Sequence, residues 1–332
     1  MHTNLRLSAF LTAFVALDLA APAPGQQLQL AADGPVKQAA FDRPAASDAP
    51  RQSVRFGRQP VRIGDEAEQT IALEMRLKLV MRRANELIGK NQTTMRTSQR
   101  RVMTTTAVEA GRTMAVTVRY PEATKQVIGA PEAEAPAAPT AADASAQSPP
   151  MPQPVQGKTY HCQRELGENG KLVVTDEAGN RPPADEYDIV AQQMDIVGRP
   201  NPLAQFLAGR TVAVGEKLEL PKDLAAQIFN LGHKFGEVTR FALTLQKLQP
   251  ESGANCAVFL ASVEAVSNDA SQMRLQVEGP LVLQVASCRA VRIGLVGPIG
   301  MSETRGSYST AYQVIGTGRL QMNIASAYRE TK

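Results

Sequence analysis

His161 and Cys162 are an adjacent pair whose side-chain types match a thiol nucleophile and its base. They fall in segment 158–166, which reads as a strand, and strand neighbours point to opposite faces, so the two cannot serve each other. A buried thiol and an exposed imidazole are expected there. Asp185, Glu186 and Asp188 could do acid–base work, but they stand at the start of an expected helix. Acidic side chains there complement the macrodipole, so capping is the expected role. Gly294, Gly297 and Gly300 match GxxGxxG. A phosphate cradle needs a helix N-terminus behind it, and this run lies between two strands, so a loop is expected. Gly316 and Gly318 sit inside the last strand, where a bulge is the ordinary reason for glycine.

Little else could carry catalysis. Beyond residue 23 the histidines are His161 and His233, and HExxH, GxSxG and GxxxxGK[ST] are absent. No catalytic residue, cofactor or metal ligand is expected, and the chain reads as a non-enzyme; a hydrolase with paired carboxylates is the remaining catalytic alternative. Cys162, Cys256 and Cys288 form no CxxC pair. They read as small buried side chains, with room for one bridge in an oxidising compartment.

The elements that would position any site are strands. Ile71, Leu73, Met75, Leu77, Leu79 and Met81 alternate with residues such as Glu74, Arg76, Lys78 and Arg82, which gives a long strand with one buried and one wet face. Further strands are expected at 93–108 and 112–120, joined by a turn at Ala110 and Gly111, and 158–166 with 171–175 reads as a hairpin. The period then changes. A helix is expected over 184–197, capped by Gly198; a second opens at Asn201 and Pro202 and stops at Gly209; a third covers 222–231. Alternation returns from Phe235 with Phe241, Leu243 and Leu245, and continues through 256–266, 273–285, 288–296 and a last strand from Tyr312 to Tyr328.

Nine or ten antiparallel strands with helices inserted at one point define the expected class. It is mainly β (α+β): a large curved antiparallel sheet with a few helices between strand groups, either as one curled sheet or as two stacked ones. Residues 1–23, with His2, Arg6, an apolar run from Leu7 and the small residues Ala20–Ala23, read as a signal peptide, so export to a periplasm or the cell exterior is expected. That apolar run is too short to span a bilayer, and no later one is longer. Residues 24–58 read as a disordered linker, and 59–332 as one β-rich domain with a Pro- and Ala-rich disordered insertion at 129–156.

Charge is uneven. Residues 51–127 hold 15 Lys and Arg against 7 Asp and Glu, whereas 157–332 balances at 18 against 18. The wet face of the first strands is thus basic through Arg76, Lys78, Arg82, Arg83, Arg96, Arg100 and Arg101. An anionic envelope component is the partner this implies, through Arg76, Lys78, Arg82, Arg100 and Arg101. Nucleic acid is not expected, for lack of interleaved aromatics.

The order of signal peptide, long one-sided strands, helical insertion and more long strands resembles the periplasmic half-barrel proteins of the lipoprotein-carrier type, over most of 59–332. The resemblance implies a curved sheet covering helices, with acyl chains held on the concave face. It rests on element order, so no family residue carries over to a numbered position, and the absence of Trp departs from aromatic-lined cavities. The Ala- and Pro-rich tracts resemble those of secreted proteins of large-genome bacteria. The function expected is an exported binding protein holding a lipid or other apolar ligand against Ile71, Leu73, Met75, Leu77, Leu79, Phe241 and Leu243, with methionines adapting to the guest. The alternative is an envelope scaffold with no small-molecule ligand.

Overall fold

The computed structural model describes residues 52–84, 86–131, 149–165, 170–229, 237–251, 253–267, 272–306 and 311–331. The expected signal peptide, the linker as far as Arg51, most of the Pro-rich insertion and His233 lie outside them.

The long strands are β2 (Glu66–Arg83), β3 (Glu86–Glu109), β4 (Arg112–Pro131), β10 (Glu237–Glu251), β11 (Ala254–Val266), β12 (Arg274–Gln284), β13 (Ala290–Arg305) and β14 (Tyr312–Arg329). Shorter ones are β1 (Ser53–Arg55), β5 (Met151–Pro152), β6 (Thr159–Arg164), β7 (Leu172–Asp176), β8 (Thr211–Ala213) and β9 (Lys217–Glu219). Three helices, α1 (Ala184–Gln193), α2 (Pro202–Leu207) and α3 (Lys222–Phe229), fall between β7 and β10. All but β1 and β8 join one 12-stranded antiparallel sheet, ordered β7-β6-β4-β3-β2-β14-β13-β12-β11-β10-β9, with β5 beside β4. The mainly β class is therefore correct, and one sheet replaces the stacked alternative. Among the described residues the last strand pairs with the first long one, Leu320 opposite Met75, in the middle of the sheet.

Alternation sorts the faces as expected: in β2, Met75 and Leu77 are buried while Arg76 and Lys78 are exposed. The buried face carries two apolar clusters. The larger spans β2, β3 and β10–β14 with α2, α3 and β1, and includes Phe56 stacked on Phe259 at 5.9 Å. The second gathers Val118, Tyr120, Tyr160, Val174, Val190 and Met194 where α1 lies against β4, β6 and β7.

Several local expectations are corrected. Residues 52–58 are not the end of a tether: β1 pairs with β8 and Phe56 is fully buried. Both flanks of the 129–156 insertion are ordered too, since β4 runs on to Pro131, β5 pairs with Thr124 and Lys125, and Val155 is buried. The Gly294–Gly300 run lies inside β13, not in a loop. Gly316 and Gly318 mark no bulge, because β14 keeps an unbroken register with both neighbours. Close backbone approach explains two of these glycines: a Cβ on Gly318 would lie 1.9 Å from the Arg76 carbonyl oxygen, and one on Gly297 1.9 Å from that of Gln276. All three cysteines are free and buried, one in each of three separate apolar clusters, so the bridge that the sequence allowed is not formed.

Candidate functional site

A cavity of about 610 Å³, partly open to solvent, lies where the two apolar clusters fail to meet. Five consecutive strands supply its floor: Val116 of β4, Met103 of β3, Ala67 and Gln69 of β2, Tyr328 of β14 and Ile293 of β13. Met194, Ile196 and Val197 after α1 form one wall, and Leu203 and Ala204 of α2 with Ile228 of α3 form the other.

Each wall is fixed by a local device. α1 ends at Gln193, earlier than the sequence indicates, and its chain continues in turns to Gly198. Arg164 of β6 donates to the carbonyl oxygens of Val197 and Asp195, the latter at 2.6 Å, and Gly198 N–H donates to Thr113 O at 2.7 Å. The α2 wall starts from the expected cap, where Asn201 Oδ1 accepts from Leu203 N at 2.9 Å and Ala204 N at 3.2 Å. Cys288, at the turn before β13, takes a left-handed φ of +54°. Its thiol faces Gly57 O at 3.4 Å, and burial raises its pKa to about 11.

The charges around the cavity are unequal once ion pairs are counted. Each lining carboxylate is engaged: Asp65 with Arg289 at 3.4 Å, Glu66 with Arg329 at 2.9 Å, and Asp195 with Arg164 at 3.1 Å and Arg199 at 2.9 Å. Arg58 and Arg112, exposed at the mouth, make no ion pair among the described residues.

On the same inner face, next to the floor residues Gln69 and Met103, lies Arg101, away from its expected place. It was expected on the wet face beside Arg100, yet adjacent strand residues point apart, and Arg101 takes the buried side with Gln99 and Thr105. Its Nε and Nη2 donate to Gln69 Oε1 at 2.9 and 2.7 Å, and its Nη1 to Gln193 Oε1 at 2.9 Å. Gln193 Nε2 donates to Gln99 Oε1 at 2.8 Å, and Tyr120 donates to Gln193 Oε1 at 3.1 Å. No carboxylate lies within ion-pairing distance of Arg101 among the described residues. Burial lowers its pKa. The outer face keeps a basic excess only in part, because Arg76 and Arg96 share Glu74, and Arg100 holds Glu68 at 2.7 Å.

No family model matches this chain, and no curated protein matches its sequence. Among solved structures, one titled for lipid–protein interactions in lipovitellin is 8% identical with a TM-score of 0.40. That match covers 82% of this chain but only 26% of the lipovitellin chain. The translocator domain of autotransporter NalP from Neisseria meningitidis is 9% identical with a TM-score of 0.18, over 77% of this chain and 87% of that one.

The residues singled out from sequence lie elsewhere. Met75, Leu77, Phe241 and Leu243 are buried in the larger cluster, Leu73 and Leu79 pack against it, and Ile71 is half-buried; none lines the cavity. Leu73 borders a smaller depression of about 330 Å³ with Arg96, Thr124 and Gln321. His161 is exposed with Nδ1 3.1 Å from Thr117 Oγ1, and Cys162 is buried behind it, as alternation requires. Glu186 is not an exposed cap. Its Oε1 accepts from Lys158 Nζ and its Oε2 from Tyr160 O–H, both at 2.6 Å. Among the described residues no group of His, Cys, Asp and Glu could hold a metal ion.

Proposed function

We propose that this chain is an exported, non-catalytic binding protein that holds a lipid-like or other apolar ligand in the cavity between its two apolar clusters. One observation carries the reading: the cavity is walled by apolar side chains and, at about 610 Å³, lies within the range of about 300–1,000 Å³ found for small-molecule sites. A scaffold with no ligand has no need of an unfilled space between two packed cores. The volume suits one compact guest. No helix among the described residues is long and apolar enough to cross a membrane.

Native mass spectrometry of the chain purified from a bacterial periplasm, followed by organic extraction, tests this reading. A stoichiometric apolar adduct is the expected result. A bare chain that also fails to take up added dodecanol, dodecanoate and dodecyltrimethylammonium would overturn it in favour of the scaffold.

A further inference from the structure

Resting on that reading, we propose that the guest is an anionic amphiphile, its chain between the two apolar walls and its charged head toward Arg58 and Arg112. Two independent observations converge on this charge class. At the mouth, all three lining carboxylates are already engaged by arginines, while Arg58 and Arg112 have no counter-charge among the described residues. Beside the floor, on the same inner face, the buried Arg101 guanidinium is held by the neutral amides of Gln69 and Gln193 next to the neutral Tyr120 hydroxyl, and Gln69 is itself part of the cavity lining. A buried cation without a counter-ion is costly, and its field extends farther through a poorly polarisable interior than through water. An anion in the cavity offsets that cost; a cation adds to it. The apolar space is therefore biased toward negative guests, and its size favours one chain over a lipid with several.

Isothermal titration calorimetry of the full chain with dodecanoate, dodecanol and dodecyltrimethylammonium, each below its micelle concentration, separates the possibilities. Dodecanoate is expected to bind about five- to tenfold more tightly than dodecanol, and the ammonium compound more weakly than both. Raising the salt concentration should shrink the carboxylate's advantage. The double variant Arg58→Gln with Arg112→Gln changes only exposed residues, so it should fold; it is expected to bring dodecanoate to within about threefold of dodecanol. Ala67→Phe, which places a ring on the cavity floor, should abolish binding of all three. Equal affinity for acid and alcohol or preference for the ammonium compound would overturn the charge assignment, and binding that survives Ala67→Phe would overturn the placement of the guest in this cavity. Failure of all three probes to bind would overturn the binding reading itself.

Discussion

Glu186 uses one carboxylate oxygen on the buried Tyr160 hydroxyl and the other on the exposed Lys158 ammonium, and this sets its ionisation. Burial pushes its carboxyl up, but the hydrogen bonds from Lys158 and Tyr160 outweigh that and hold it below the ordinary value of 4.5. A depressed carboxylate contributes stability that is full above its unfolded pKa and lost as pH falls through the folded one. Lys158 is half exposed, so most of the effect is expected from the Tyr160 bond. Glu186→Gln should cost about 1–3 kcal/mol in urea denaturation at pH 7, against less than about 0.5 kcal/mol for exposed Asp185→Asn, and the Glu186 difference should shrink below pH 4.5. The thiols make a second residue-scale case. Burial raises the pKa of Cys162 to about 12 and that of Cys288 to about 11, and all three cysteines are free. Thiol titration should therefore find almost no reactive group in the native protein and three per chain in denaturant. A single one after denaturation would mean a bridge that this structure does not contain.

At the scale of the element, Gly297 of β13 and Gly318 of β14 allow neighbouring backbones to approach more closely than any other residue permits. Gly318→Ala forces a methyl into a space 1.9 Å from the Arg76 carbonyl oxygen, so β14 and β2 must separate locally. A loss of about 1–3 kcal/mol is expected from equilibrium denaturation, whereas Gly129→Ala, where nothing lies within 4 Å, should change little. The same strands show what could be read in advance. The ten strands that alternation, Thr and Val richness or a flanking turn marks in the sequence all exist, and the four without such a mark, β1, β5, β8 and β9, have two or three residues each, too few to show a period. Arg101 was misplaced because it was sorted by charge when its neighbours Gln99 and Met103 already set its phase. The cavity was not legible for a different reason. Its lining comes from five strands and three helical segments far apart in the chain, and alternation marks which residues face inward without marking where two inward-facing clusters stop short of each other.

For the whole molecule, the decisive question is whether the inner face holds a guest along β2, where the sequence places one, or between the two clusters, where the structure leaves room. Two substitutions on the same strand separate these cases. Ala67 is half-buried on the cavity floor, opposite Tyr328 on one side and Met103 on the other. Ala67→Phe fills empty space, so stability should hold or rise by up to about 1 kcal/mol while the co-purifying ligand is lost. Leu77 is buried in the larger cluster away from the cavity, so Leu77→Ala should cost about 2–5 kcal/mol by leaving a void, yet keep its ligand while folded. Differential scanning calorimetry paired with native mass spectrometry reads both quantities on each variant. If Leu77→Ala loses the ligand and Ala67→Phe retains it, the guest lies along the strand face and the gap between the clusters is only a packing fault. The expected opposite pattern assigns binding to that gap and stability to the face of β2, two jobs for one strand separated by ten residues along its length.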